Sequence, residues 1–327
     1  MTGYTRRPEW LKLSPLEPAM LNKMRRLTRD LKLHTVCQSA RCPNRAKCFA
    51  EGTATFMILG DICTRNCTFC AVKKGKPQAP PPQEPEHIVK AISKLGLRYV
   101  VITSVTRDDL TDGGSSHFAQ TIRAIRKYDP NIMVEVLIPD FKGSLFALQT
   151  VIDTFPAVVN HNIETVPRLY PQVRPQAKYR RSLELLRQAK LLNPRLLTKS
   201  GLILGLGESW EEVIEVMADL RQARCDILTI GQYLPPSLKH HKLVRYIPPE
   251  EFEQYQNRGR EMGFVSVISG SLVRSSFHAA ETYLSAVQKF REINRRTEVG
   301  ARWTDKGVER VARLLEGVRL NGTKLEF

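Results

Sequence analysis

No run of eighteen apolar residues occurs in the 327-residue chain, so the sequence offers no membrane-spanning helix. The first residues, Met-Thr-Gly-Tyr-Thr-Arg-Arg-Pro, lack the apolar stretch of a secretory signal. Both absences lead to the expectation of a cytoplasmic protein. Acidic residues are few beside basic ones, 33 against 50, which leaves a formal charge of +17. That excess calls for an anionic partner. The cations are scattered, however, as Arg25-Arg26, Lys73-Lys74, Arg180-Arg181 and Arg295-Arg296. With no long Lys/Arg run and no recognisable nucleic-acid-binding module, charge alone does not choose among nucleic acid, an acidic protein and anionic cofactors. Internal repeats are absent too, and the one biased tract, Pro77 to Pro85 with five prolines, reads as a surface connection. A chain of this length fits one large domain with extensions as easily as two small ones.

Cysteine is also sparse over most of the chain, because six of the seven lie between Cys37 and Cys70. Such crowding is not a secreted disulfide framework and points to metal or redox use in a reducing compartment. Cys225 stands alone in Ala-Arg-Cys-Asp-Ile-Leu and reads as a small residue entering a buried strand. Cys63, Cys67 and Cys70 follow a C-x3-C-x2-C spacing. Three thiolates on one tight loop can bind three irons of a cubane cluster and leave the fourth iron without a protein ligand. Structural zinc is the alternative, but zinc normally takes four protein ligands and no fourth sits at the expected offset. Fourteen residues upstream, Cys37, Cys42 and Cys48 form a C-x4-C-x5-C triad in a polar, irregular loop. Two triads this close suggest two metal centres; a single zinc with spare thiols, or two half-filled sites, is the structural alternative.

From Thr53 the chain alternates short apolar, partly β-branched runs with amphipathic helical patterns. The runs predict strands at Ala54-Leu59, Tyr99-Ser104, Ile132-Ile138, Ala157-His161, Leu197-Leu204, Ile227-Gln232 and Val265-Ile268. Helices are expected near 85–95, 115–127, 143–153, 179–192, 209–223 and 249–262. Parallel strands with helical crossovers build either an open doubly wound sheet or a barrel, and the periodicity does not separate the two. A barrel would carry its site at the carboxyl ends of the strands, and the Cys63 loop directly follows the first strand. Before the barrel, residues 1–16 read as an extended arm and 17–32 as an amphipathic helix. After it, Tyr283, Leu284, Val287 and Phe290 share a helical face, and Asp305-Glu316 suggests another helix. This tail is expected to cap the barrel. The expected division is an arm with its cysteine loop at 1–52, a barrel at 53–280 and a helical extension at 281–327.

The C-x3-C-x2-C spacing, with Phe69 just before the last cysteine, resembles the radical S-adenosylmethionine enzymes. Together with the C-x4-C-x5-C triad and the phrases Gly52-Asp61, Thr103-Gly114, Asn160-Tyr170, Lys199-Glu208 and Arg274-Ala279, the sequence resembles the lipoyl synthase family over residues 8–280. The resemblance implies an α/β fold, a radical SAM-type partial (βα)6 barrel with an N-terminal cluster-binding arm and a helical C-terminal extension. It implies two [4Fe-4S] clusters and S-adenosyl-L-methionine. One cluster would sit on Cys63, Cys67 and Cys70 and generate the radical. The auxiliary cluster would sit on Cys37, Cys42, Cys48 and Ser276 and give up sulfur for C6 and C8 of an octanoyl chain on a carrier lysine. A serine alkoxide is a poor, hard ligand for iron beside thiolate, which suits an iron released during turnover. From the residues alone, Ser275-Ser276 reads as a helix cap.

The implied partners are octanoylated carrier domains, namely 2-oxoacid dehydrogenase E2 subunits and the glycine cleavage carrier protein, and a reductant such as ferredoxin or flavodoxin, with neither membrane nor nucleic acid. Phe69 would pack on the adenine, and Thr103 and Ser104 end a strand at the active face. Glu164 and Arg174 would bind the ribose or the methionine carboxylate; a surface pair or loop brace is their other reading. Gly205 and Gly207 let backbone approach a cofactor, or else make a tight turn before a helix capped by Ser209. Asp108, Asp109, Gly113 and Gly114 read as a turn-rich loop without chemistry. Phe277, Gln176 and Ser271 depart from the family's tyrosine, glycine and proline, and none is a proposed ligand. The competing functions are a tRNA methylthiotransferase-like two-cluster enzyme, which lacks a recognisable RNA-binding domain here, and a non-enzymatic metal scaffold, for which the incomplete Cys63 triad is an awkward design.

Overall fold

A computed structural model describes residues 7–11, 18–42, 44, 48 and 55–296 of the chain. Helix α1 (Pro18–Asp30) leads into a two-residue strand, β1 (His34–Thr35). This strand pairs antiparallel with β2 (Thr55–Ile58), setting His34 opposite Met57 and Thr35 opposite Phe56. The pairing carries the upstream cysteine loop to the strand that leads into the downstream one. Past β2, a small parallel pair of β3 (Ile62–Cys63) and β4 (Lys73–Lys74) holds the ends of the Cys63 loop together. Two residues on each side gave no periodic signal from which to foresee it.

The remaining strands are β5 (Tyr99–Ser104), β6 (Met133–Leu137), β7 (Val158–Asn160), β8 (Leu197–Leu204), β9 (Ile227–Gln232) and β10 (Ser266–Gly270). They run parallel with β2, in the order β1-β2-β5-β6-β7-β8-β9-β10. Crossovers are supplied by α2 (Glu84–Leu95), α3 (Ser115–Tyr128), α4 (Leu145–Ile152), α5 (Tyr179–Leu192), α6 (Trp210–Gln222) and α7 (Pro249–Glu261). Six strand-helix units followed by a last strand make an open, partial barrel, because β1 and β10 end the sheet without pairing to each other or to a further strand among the described residues. Local chemistry sets several helix starts and stops. Ser209 and Glu212 form a reciprocal capping box on α6, and Gly96 ends α2 at φ 63°, a left-handed position glycine takes without strain.

Alternation along the strands sorts the side chains. Phe56, Ile58, Val100, Ile102, Val134, Val136 and Val159 pack outward with the apolar faces of α2, α3 and α4. Leu202, Leu204, Leu228 and Ile230 do the same under α6 and α7. The opposite face turns Thr55, Met57, Val101, Thr103, Leu137, Gly201, Thr229 and Gly231 into a cavity. At the amino-terminal ends of the strands, α8 (Ala279–Arg296) packs Tyr283, Ala286 and Val287 against Val158, Leu197 and Ile227. The expected cap therefore exists, and it closes the barrel from below. The serines expected to cap a helix do not, since α8 begins three residues after Ser276. The helix expected at Asp305-Glu316 and most of the arm at 1–16 lie outside the described residues. No helix among the described residues is long and apolar enough to cross a membrane.

Candidate active site

The chain leaves β2 through two left-handed residues, Leu59 at φ 69° and Gly60 at φ 89°. Burying an apolar leucine there is made possible by Glu84, whose Oε2 accepts the Leu59 amide at 2.8 Å. The Cys63 loop that follows is bolted to its neighbours. Arg65 donates Nε and Nη2 to Asp108 at 2.7 and 2.9 Å, and Nη2 also reaches Asp140 at 2.6 Å. Burial works to raise Asp140, but the Arg65 guanidinium outweighs it and holds the carboxyl at about 2. On the other side, Thr68 donates its amide to the Val173 carbonyl at 2.9 Å. The Asn66 amide goes to Gln176 Oε1 at 2.6 Å, so this departure from the family pattern touches the loop between Cys63 and Cys67.

The upstream triad starts inside a capped helical turn, Val36–Ser39, where Thr35 Oγ1 accepts the Gln38 amide at 3.3 Å. Met24 of α1 covers Cys37. Burial pushes the Cys37 thiol up to about 12, with Cys42 and Cys48 adding to the shift and the Thr55 amide opposing it. Burial likewise raises Cys70 to about 12, and Cys67 is raised against the pull of Arg174. Burial thus favours the thiol form at Cys37, Cys67 and Cys70, and a metal that compensates the buried charge favours the thiolate.

Both triads open on one cavity of about 560 Å³. Its walls include Cys37, Cys42, Cys48, Cys63, Cys67 and Cys70 together with Phe69, Thr103, Ser104, Glu164, Arg174 and Ser276, so every site residue chosen from the sequence is brought to the same space. Gly205 and Gly207 are not among its walls. Gly205 instead makes a tight turn at φ 102°, where a Cβ would lie 2.5 Å from Gln232 Nε2. Asp108 and Asp109 serve ion pairs to Arg65 and Arg107. Cys225 is buried, with its thiol 3.3 Å from the Ile227 carbonyl as β9 begins.

Glu164 holds a left-handed φ of 66°, a costly conformation for a side-chain-bearing residue, fixed by its amide to Gly201 O at 2.8 Å and its carbonyl to the Ile203 amide at 2.9 Å. Its carboxyl is raised by burial, opposed by Arg174 and by a 3.0 Å hydrogen bond from Asn162. Arg174 is partly the brace its position suggested, because Nη1 donates to the carbonyls of Asn162 and Ile163 at 3.0 Å and to the Tyr170 hydroxyl at 3.1 Å. Among the described residues its Nε has no hydrogen-bond partner, and neither do the buried Ser104 Oγ and Asn162 Oδ1. Polar atoms buried without partners are costly in a native fold. Three of them on a cavity also lined by six thiols fit a site completed by iron-sulfur clusters and a polar cofactor.

Four residues that matter here carried no assignment from the sequence: Thr55, Asn162, Arg274 and Arg65. Asn162 was detectable in principle, lying two positions from Glu164 on the same inward face. Arg274 lines the cavity beside Cys42 and Glu164, and its Nη1 donates to the Val273 carbonyl at 2.6 Å.

The Radical SAM superfamily model matches residues 57–220, from β2 through most of α6. A lipoyl synthase from Caldanaerobacter subterraneus subsp. tengcongensis is 57% identical over 274 residues, 84% of this chain and 96% of that protein. The chain belongs to the lipoyl synthase family. A second member, from Alkaliphilus metalliredigens, is 52% identical over 88% of this chain and 98% of its own length. Among solved structures, Streptococcus suis SuiB bound to the precursor peptide SuiA superposes with a TM-score of 0.51 at 12% identity, covering 83% of this chain and 58% of that one. That likeness concerns the fold. Lipoyl synthases are radical S-adenosylmethionine sulfurtransferases with [4Fe-4S] clusters, and membership gives this chain that chemistry.

Proposed function

We propose that this chain inserts sulfur at C6 and C8 of an octanoyl group held in amide linkage on a carrier-protein lysine. When bound, the two clusters and S-adenosyl-L-methionine supply hydrogen abstraction from unactivated C–H bonds and the sulfur that replaces the hydrogen. Cys63, Cys67 and Cys70 hold one cluster and leave an iron open for the cofactor. Cys37, Cys42 and Cys48 hold the other, with Ser276 as the fourth ligand. Ser276 is preferred over Ser275 because its Oγ lies 2.8 Å from Thr55 Oγ1, and the Thr55 amide in turn bonds the Cys37 thiol. Ser275 Oγ is already engaged by Asn162 at 2.6 Å.

The protein's part is placement and exclusion of water. Phe69 offers an aromatic face to the adenine. Glu164, Arg174 Nε, Thr103 and Ser104 Oγ offer the polar contacts for ribose and methionine. Met57, Val101 and Leu137 give an apolar wall suited to an alkyl chain. The natural substrates would be lipoyl domains of 2-oxoacid dehydrogenase E2 subunits and the glycine cleavage carrier protein, with ferredoxin or flavodoxin as reductant. Six thiols on one cavity suit a reducing compartment, in keeping with a cytoplasmic enzyme.

The observation that carries this reading is that both triads line one cavity. A carbon placed there faces a hydrogen-abstracting side and a sulfur-bearing side of the same cavity. Mass spectrometry of an octanoylated carrier peptide, incubated with S-adenosyl-L-methionine and reductant, tests it. The wild-type enzyme, loaded to about eight irons per chain, should add two sulfurs. Cys37→Ala/Cys42→Ala/Cys48→Ala should still form 5'-deoxyadenosine and add none. Failure of the fully loaded wild type to add sulfur would reject the proposal.

A further inference from the structure

The segment 272–276 runs across the cavity and is pinned at four points. Asn44 Nδ2, from the upstream cysteine loop, donates to the Leu272 carbonyl at 2.5 Å. The Val273 carbonyl presses on β9 so closely that a Cβ at Gly231 would stand 2.1 Å from it. Ser275 Oγ lies over β8, where a Cβ at Gly201 would come within 3.1 Å of it and within 2.8 Å of Asn162 Oδ1. The last pin is Thr55, whose hydroxyl donates to Ser276 Oγ at 2.8 Å.

Asn162 holds the third point. Its amide nitrogen has two hydrogens, and both are committed: one contact goes to Glu164 Oε1 at 3.0 Å and the other to Ser275 Oγ at 2.6 Å. One side chain therefore ties the carboxylate on the cofactor side to the residue next to Ser276. Ser275 and Ser276 are the central residues of a turn closed by the Phe277 amide on the Arg274 carbonyl at 2.9 Å, so fixing Ser275 against β8 also fixes where the turn sets Ser276, with its Oγ at Thr55.

We propose that Asn162 and Ser275 form a latch that presents Ser276 to the upstream triad, and that Asn162 transmits occupancy of the Glu164 side to that serine. Asn162 and Ser275 are positioning residues in this scheme. The inference rests on the reading of Ser276 as the auxiliary ligand. It predicts that a contact drawing Glu164 toward the cofactor loosens or tightens the strap, and with it the oxygen-bound iron.

The test uses the holoenzyme with both clusters and reads two quantities: the Mössbauer signature of the oxygen-ligated iron, and the rate at which a chelator removes that iron, with and without S-adenosyl-L-methionine. In the wild type the cofactor should change the removal rate. Ser275→Ala should speed removal about five- to tenfold, as loss of one neutral hydrogen bond allows, and should make the rate indifferent to the cofactor. Ser275→Thr, which keeps the hydroxyl, should restore both behaviours, and 5'-deoxyadenosine formation should be unaffected in either variant. If Ser276→Ala weakens the iron while Ser275→Ala leaves it unchanged, the latch is refuted and the ligand reading survives. If Ser276→Ala leaves the Mössbauer signature unchanged, the ligand reading fails and the latch falls with it. Parallel loss of deoxyadenosine formation in Ser275→Ala would show general damage to the cavity and would also overturn the latch.

Discussion

Lys199 and Glu135 face each other inside the barrel at 3.0 Å, with side chains 0% and 1% exposed. The carboxylate also accepts from Tyr99 Oη at 2.8 Å and from Asn160 Nδ2 at 3.3 Å, so the buried pair is nearly saturated with partners. Removing one partner strands the other charge in a medium that solvates it poorly, which typically costs about 3–5 kcal/mol. Lys199→Met and Glu135→Leu should each destabilise by that amount in urea unfolding. The double variant should be more stable than the sum of the two losses, because no isolated charge remains. Additive losses would mean that the pair does not act as a unit. Neither residue was singled out from the sequence, since a lysine in an apolar strand names no partner 64 residues away.

At the scale of elements, His161 ties three of them together. Its Nδ1 meets the Ile138 carbonyl at 2.8 Å just past β6, and its Nε2 meets Ser182 Oγ at 2.9 Å on α5. Burial, helped by the nearby Arg174 charge, lowers its pKa from 6.5 to about 4. Between those values the unfolded chain binds a proton that the native state refuses, so stability falls as pH drops through the window. A shift of this size corresponds to about 3 kcal/mol. His161→Asn should flatten the fall in unfolding free energy between pH 6.5 and 4 by an amount of that order. An unchanged slope would show that the imidazole is not held neutral.

The strap 272–276 makes the second prediction at this scale. Gly231→Ala sets a methyl against the Val273 carbonyl, so the strap must lift from β9. Sulfur insertion should fall at least tenfold, about 1.4 kcal/mol of transition-state stabilisation, while circular dichroism shows the barrel intact. Wild-type turnover would place the strap elsewhere in solution. The strands and crossover helices were legible because each is written in local periodicity, and their ends matched within two residues. The strap was not legible beyond its Arg-Ser-Ser phrase. Its place is set by contacts such as Asn44 to Leu272, 228 positions apart, and no local pattern encodes those.

For the molecule as a whole, the +17 charge regains meaning once the cavity is located. Arg7 and Arg41 are exposed and stand on its wall, and Arg41 Nη1 reaches the Pro236 carbonyl at 3.2 Å. Beyond Pro235 and Pro236, which also line the cavity, the chain continues into an exposed stretch carrying Lys239 and Lys242. A folded carrier that delivers an acylated lysine into the cavity must approach these cations, whereas a short acyl-peptide needs only the cavity. Exposed charges are screened beyond about 10 Å at 0.1 M salt. The KM for an intact octanoylated carrier domain should therefore rise about tenfold as salt is raised from about 0.05 to about 0.5 M, and the KM for an octanoyl-lysine peptide should change little. Arg41→Glu/Lys239→Glu/Lys242→Glu should raise the carrier KM at low salt, abolish its salt dependence and leave the peptide reaction intact. Equal salt responses of carrier and peptide would assign the charge to the small cofactors, and a flat response of both would remove electrostatic docking from the description of this enzyme.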